Sequence, residues 1–402
     1  FRRVLFRSPT SNGADIFSDT KHKIIVYPEV SVGSTLYSKV KTTNFKSLFQ
    51  NHFIYSEVTL PYYKYGYYEI NFIVDKGITL NFDNKGFAGG FVRETENHNI
   101  YKFTYTQNTA IPSEPGMVSL YDVSNHLFVS SFKDYAEYSQ AYHRLSEPKA
   151  KPTALIQGLA EGIIAKSGGG DKRAEAKALY EWIVKNIRYI AVYMGDGGVN
   201  PHYAESIVKN GYGDCKDHAV LYEALLAARG IKSSPALINA GEAFTLPKYP
   251  VLVPQNHVIT YIPEFDLYAD ATSHNVPFGY IPFWVRDKPT VLTALNKLGK
   301  TPSMKANENI VKTTVKFKIQ PDGKIDGVST LVASGPIETS YRENQVSNVG
   351  KDDSKVAADL LSLYGETGIG KLQFTKPNSF NERYEENGSF TLDPIANYPG
   401  PA

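Results

Sequence analysis

The spacing of apolar residues changes character twice along this 402-residue chain, which limits it to a succession of separately built regions. From about Ile16 to Val129 the apolar residues fall in short runs rich in β-branched and aromatic side chains. These are Lys23 to Tyr27, Phe53 to Leu60, Tyr67 to Val74, Tyr101 to Thr106 and Leu127 to Phe132. Turn formers at Asp75 to Gly77, Asp83 to Gly86 and Pro112 to Gly116 separate them. That texture predicts an antiparallel β-sandwich. The tyrosine-rich run Tyr62 to Tyr68 reads as a half-exposed edge strand, with an aromatic platform for a sugar or peptide as the alternative.

Helical spacing begins after Pro148 to Pro152. Thr153 to Lys166 predicts a helix ended by Gly168 to Gly170, and Asp171 stands where the N-cap of a second helix, Ala174 to Ile187, belongs. Ile187 to Tyr193 reads as a strand, Gly195 to Pro201 as a loop and Tyr203 to Lys209 as a short helix. Asp214 to Arg229 reads as a further helix, with Leu221, Ala224, Leu225 and Ala228 on its apolar face. Ser234 to Ala240, His257 to Ile262 and Leu267 to Thr272 are strand-like, so this region is expected to be α+β. After about Asn307 the β texture returns. Val311 to Ile319 and Gly327 to Ser334 should form a hairpin around Gln320 to Gly323, followed by a helix at Asp352 to Tyr364 and strands within Ser379 to Leu392.

The expected organisation is therefore an N-terminal β-sandwich over 9–147, an α+β core over 148–304 and an incomplete β-rich region over 305–402. Phe1 to Ser8 resembles a translated sequencing adapter and is set aside. Hydrophobic residues at 42% and charged ones at 21% are ordinary globular usage. With 43 basic against 41 acidic residues, bulk charge gives no support for nucleic-acid binding. No apolar stretch approaches the length of a transmembrane helix.

Cys215 is the single cysteine, which excludes an intrachain disulfide and a zinc site needing two thiolates. It sits in Gly211-Tyr-Gly-Asp-Cys-Lys-Asp-His218 at the start of a helix, where unpaired backbone N–H groups favour a thiolate and can receive an oxyanion. Gly213 is expected to relieve the backbone and Asp214 to cap. Asn256-His257 opens one strand, and Asp270 lies thirteen residues beyond His257 on the next. An even-length loop, Pro263 to Glu264 or Ile262 to Phe265, would set His257 and Asp270 opposite one another, within reach of a carboxylate–imidazole hydrogen bond. His218 and Asp217 make a poor metal site and read as a solvated helix face. Gly168 to Asp171 and Gly195 to Gly198 lack the Walker lysine and the Rossmann spacing and read as loops. Lys149 to Lys151 is a short basic linker.

Residues from about Phe132 to Phe283 resemble the transglutaminase-like core of the papain-type cysteine superfamily. The matching stretches are Lys185 to Tyr189, Gly211 to His218, Ala227 to Ile231, Asn256-His257, Asp270 to Thr272 and Phe278-Gly279. The whole chain resembles a bacterial architecture in which an uncharacterised N-terminal β-domain precedes this core. The resemblance implies Cys215 as nucleophile, His257 as general base and acid, and Asp270 as the residue orienting the imidazole. Animal transglutaminases carry an indole upstream of the cysteine and bind calcium. Here Tyr189 or Tyr193 stands in that stretch, with Tyr189 assigned as an oxyanion donor, and no EF-hand-type loop is present.

These readings imply cysteine-dependent acyl transfer at an amide or peptide bond through a thioester, as a peptidase, amidase or transamidase, with no cofactor or metal. The alternative is a non-catalytic cell-envelope binding or scaffold protein. Expected substrates are protein, peptide or peptidoglycan-type amides, and the resemblance implies the bacterial periplasm or cell envelope.

Overall fold

The computed structural model describes residues 16–18, 26–193 and 198–394. The adapter-like segment, the first part of the run at Lys23 and the first three residues of the loop from Gly195 to Pro201 lie outside them. Two compact units are present: Phe1–Leu267 with Lys288–Lys300, and Tyr268–Asp287 with Thr301–Ala402.

The first unit opens with the sandwich. One antiparallel sheet places His126–Ser130 between Ile54–Val58 and Asn81–Lys85, and the other places His98–Gln107 between Tyr65–Asp75 and Ala88–Glu94. Alternation along each strand turns Phe72, Phe103 and Tyr105 of one sheet toward Leu127 and Val129 of the other. Phe72 meets Phe82 and Phe103 edge-on, with ring centroids 6.1 and 6.2 Å apart. Tyr65 and Tyr68 pack against this core while Tyr67 faces outward, as the edge-strand reading expected. One turn expectation is corrected. Asp83, Asn84 and Lys85 are strand, not turn, because they pair with Phe128, Leu127 and His126, and only Gly86 takes a left-handed conformation. Ladder pairing outweighs the local turn preference of Asp and Asn.

The remainder of this unit is α+β. Helices Tyr135–Ser146, Ala154–Ser167, Lys172–Asn186 and Cys215–Ala228 begin at Asp134, Thr153, Asp171 and Asp214, each of whose side chains accepts a first-turn backbone N–H. Ala204–Asn210 is a shorter helix between the third and fourth of these. The helix Cys215–Ala228 is central, with Val220 to Leu226 buried all round and the Tyr222 hydroxyl donating to the Ala176 carbonyl at 3.0 Å. Beside it an antiparallel sheet runs His257–Ile262, Ser234–Ile238, Pro289–Leu292, Lys297–Lys300. The strand Leu267–Ala269 carries the chain from the first unit into the second.

In the second unit the expected hairpin is present. Ile310–Ile319 pairs with Ile325–Ser334, and Gly323 N–H donates to the Gln320 carbonyl at 2.9 Å. Tyr384–Leu392 and Gly368–Phe374 extend it to a four-stranded antiparallel sheet, on which the helix Asp353–Leu363 lays Val356 and Ala357 against Leu372. The edge strand Ile310–Ile319 is exposed along its whole length.

Candidate active site

Cys215 is the first residue of its helix, and the two glycines before it have different tasks. Gly211 ends the preceding helix in a left-handed conformation at φ 71°, which favours glycine. Gly213 has no positive φ. A Cβ there would stand 2.6 Å from the Asp217 Cβ, so the glycine makes room for that side chain rather than relieving the backbone. That proximity lets Asp214 and Asp217 close a reciprocal capping box. The Asp214 carboxylate accepts from the Asp217 N–H at 3.4 Å, and Asp217 accepts from the Asp214 N–H at 3.2 Å. Asp217 also accepts from the backbone N–H of His202 at 2.8 Å and faces the His202 Nδ1 at 3.0 Å. Lys216 Nζ pairs with Asp214, and both side chains are buried. Burial, then the neighbouring Asp217 carboxylate, raises the Asp214 pKa against the opposing pull of Lys216.

The expectation of a solvated face at Asp217 and His218 is therefore corrected. Each is 1% exposed. His218 Nδ1 donates to the Asp214 carbonyl at 2.8 Å, and its ring lies 5.9 Å from that of Tyr189. The first turn of the helix is enclosed, and its polar groups are matched to one another.

His257 opens its strand as expected, opposite Ile238 in the antiparallel register. Two asparagines hold the approach to it. Asn256 Oδ1 accepts from the Ala240 N–H at 2.7 Å while its Nδ2 donates to the Ala240 carbonyl at 3.2 Å. Asn239 Nδ2 donates to the Pro254 carbonyl at 2.5 Å. The connection after this strand is Pro263 to Asp266, four residues and one position later than the four-residue loop expected, and Tyr261 donates to Asp266 at 2.7 Å.

Cys215, His257 and Tyr189 line one cavity of about 290 Å³. Its walls are largely apolar, from Val199, Leu237, Leu252 and Val258, with Tyr138 and Tyr142 of the helix Tyr135–Ser146. Burial, then the nearby Cys215 sulfur, pushes the Tyr142 phenol well above its ordinary pKa. Asp270 lies in the second unit, fully buried. Its carboxylate accepts from the Thr272 N–H at 3.1 Å and the Thr272 hydroxyl at 2.6 Å.

Residues 157–259 match the family model of the transglutaminase-like superfamily, a span that holds both Cys215 and His257. The chain carries a transglutaminase-like domain. Residues 3–112, ahead of it, match a domain of unknown function with solved structures. Among solved structures the chain is similar to a candidate protease from Parabacteroides distasonis. The identity is 12%, over 86% of this chain and 69% of that one, with a TM-score of 0.48. It is also similar to a candidate cysteine protease from Cytophaga hutchinsonii, at 15% identity over 55% of this chain and 71% of that one, with a TM-score of 0.25. No curated protein matches the chain.

Among the residues lining the transglutaminase-like domain's cavity, the sequence did not single out the polar side chains of Tyr138, Tyr142, Lys216 and Gln255. The two tyrosines had a usable signal. Asp134 followed by Tyr135, Tyr138, Tyr142 and Leu145 is an N-cap ahead of helically spaced apolar residues. Lys216 and Gln255 carried none, since their burial depends on neighbours distant in sequence.

Proposed function

We propose that this protein is a cysteine-dependent enzyme acting at an amide carbonyl by acyl transfer through a Cys215 thioester. The observation carrying this reading is that Cys215, at a helix start, and His257, at a strand start, line one cavity within the span matching the transglutaminase-like model. The thiolate attacks the carbonyl carbon, forming the S–C bond while the carbonyl π pair moves to oxygen. Backbone N–H groups of the first turn and the Tyr189 hydroxyl stabilise that oxyanion. His257 takes the thiol proton and gives it to the departing amine as the C–N bond breaks. Water, or a second amine, then releases the acyl group from sulfur. Asp270 is assigned the role of orienting the His257 ring, as the carboxylate of such triads does.

The apolar walls favour an uncharged acyl donor, because Lys216, the buried cation in the lining, is already paired with Asp214. A panel of fluorogenic peptide amides, including glutamine-containing ones with an added primary amine, tests the reading. Cys215→Ala should lower turnover of any responsive substrate by roughly 10³-fold or more. Full activity in that variant would mean the chemistry lies elsewhere. Release of acid alone, against incorporation of the added amine, separates hydrolysis from transamidation.

A further inference from the structure

The connection between Ser234–Ile238 and His257–Ile262, residues 239–256, carries no helix or strand, yet it builds one wall of the cavity through Leu252, Val253, Gln255 and Asn256. A structureless connection of that length is uncommon in a compact domain and needs something to hold it. The sandwich supplies the hold. Asp122, half-buried in the short helix Leu120–Val123 just before the sandwich strand His126–Ser130, accepts from three donors of the connection. These are the Phe244 N–H at 2.7 Å, the Thr245 N–H at 3.1 Å and the Thr245 hydroxyl at 2.6 Å. Asp83, on the strand Asn81–Lys85, accepts from the Lys248 N–H at 2.6 Å, and the Ser119 N–H donates to the Glu242 carbonyl at 2.9 Å. Hydrogen bonds to a carboxylate are about twice as strong as neutral ones. Consecutive N–H groups converging on one carboxylate also fix the direction of the backbone that carries them.

The grip at Phe244 and Thr245 reaches the cavity through a short relay. Asn239 Oδ1 accepts from the Ala243 N–H at 3.1 Å, one residue before the pair that Asp122 holds. Its Nδ2 donates to the Pro254 carbonyl at 2.5 Å, between Val253 and Gln255 of the wall. Lys288 Nζ closes the same turn, donating to the Ala243 carbonyl at 3.0 Å with its charge 3.6 Å from the centre of the Phe244 ring. Leu246, next to Thr245, and Leu252 pack against the core cluster that also receives Cys215. We infer that the sandwich sets the position of this wall, with Asp122 as the positioning residue, so that the apolar side chain of an acyl donor is received in one place relative to Cys215. None of the described sandwich residues lines the cavity, so the sandwich selects the substrate through the connection alone. A displacement of the wall by a fraction of an ångström misplaces the bound group and weakens selection without touching the thiol. The inference rests on the proposed nucleophilic role of Cys215.

Three thiol probes, used on the full chain, separate this role from a structural one. N-acetyl-phenylalaninal and N-acetyl-glycinal form the same hemithioacetal with Cys215: the S–C bond forms, the carbonyl π pair moves to oxygen, and the thiol proton ends on that oxygen. The two aldehydes differ only in the side chain offered to the wall. Iodoacetamide alkylates the same sulfur by displacing iodide, at a rate that follows thiolate availability. The parent should bind the phenylalaninal more tightly than the glycinal. Asp122→Ala should reduce that preference roughly 5- to 20-fold. Its glycinal binding and its alkylation rate should stay within about twofold of the parent. Asp122→Asn, which keeps the shape and one acceptor oxygen, should reduce the preference by a smaller factor, and it decides the matter if Asp122→Ala does not fold. An unchanged preference would assign Asp122 to stability alone and overturn the inference. Equal losses with all the probes, or a parent that does not distinguish the two aldehydes, would overturn it too. A parent protein whose Cys215 reacts with none of the probes would instead overturn the nucleophile itself, and the inference with it.

Discussion

The sandwich and the transglutaminase-like core belong to one unit yet are stabilised in opposite ways. Inside the sandwich almost everything is apolar: Phe72, Phe87, Phe103, Leu127 and Val129 close over one another, and its hydrogen bonds lie mainly in the ladders. The core buries Asp214, Lys216, Asp217, His218 and Glu223 on a single helix. Apolar packing is non-directional and tolerates sliding, whereas a buried charge is tolerable only with its partners in place. The difference separates a region that needs only to be filled from one in which positions are prescribed, and the prescribed one holds the cysteine.

Four substitutions probe that contrast, in order of decreasing effect. Asp217→Ala should be the most damaging. It strips acceptors from the Asp214 and His202 backbone N–H groups and leaves Lys216 and Asp214 without their neighbour, costing on the order of 3–5 kcal/mol in urea unfolding. A loss below about 1 kcal/mol would show that the core does not depend on its polar lock. Leu127→Ala, at a fully buried sandwich position, should cost about 2–5 kcal/mol through lost transfer energy and a cavity. That loss should be nearly independent of pH, since no titrating group is involved.

Glu223→Gln sharpens the comparison by pH. Burial raises the Glu223 pKa to about 8, against a partial opposing effect from a hydrogen bond with Ser233. Between the ordinary value of 4.5 and that raised value, the unfolded chain has released this proton and the folded one retains it. Stability therefore falls as pH rises through that window, by at most about 1.4 kcal/mol per pH unit from this group. The Gln variant should match the parent near pH 4.5 and gain on it steadily toward pH 8, as read from thermal melts at a series of pH values. A gap that narrows with pH would contradict a protonated buried carboxyl. Tyr67→Ser should do least: it removes an exposed ring from an edge strand and its contact with Glu69, with an expected change within about 0.5 kcal/mol.

The caps were the most legible part of this chain. Asp171 and Asp214 announce their helices because a side-chain oxygen at that position satisfies an otherwise unpaired N–H, a strictly local effect. The strand His257–Ile262 was equally plain, as a run of β-branched residues between turn formers. The helix Tyr135–Ser146 was not. Its tyrosines and serines share the β texture of the preceding domain, and that texture masked the N-cap at Asp134 and the helical spacing of Tyr135, Tyr138, Tyr142 and Leu145. Among the residues lining the cavity, Cys215 and His257 could be singled out from type and setting. The burial of His218 and the unpaired amide of Gln255 could not, because each follows from what surrounds the residue in space.

The course of the chain sets an order of events during synthesis. The strand that begins at His257 pairs with Ser234–Ile238, whose other neighbour, Pro289–Leu292, arrives only after the chain has passed through Tyr268–Asp287 of the second unit. A ribosome that has released the Cys215 helix has therefore not yet released the sheet beside it, and Lys297–Lys300 comes later still. Fragments ending anywhere between Leu267 and Lys300 would carry the cysteine on its helix beside a sheet, holding the histidine, that lacks strands and has an open edge, a template for pairing with another chain. Expression of the transglutaminase-like region as a soluble piece should accordingly require an endpoint beyond residue 300, even though the residues of the cavity are complete by Val258.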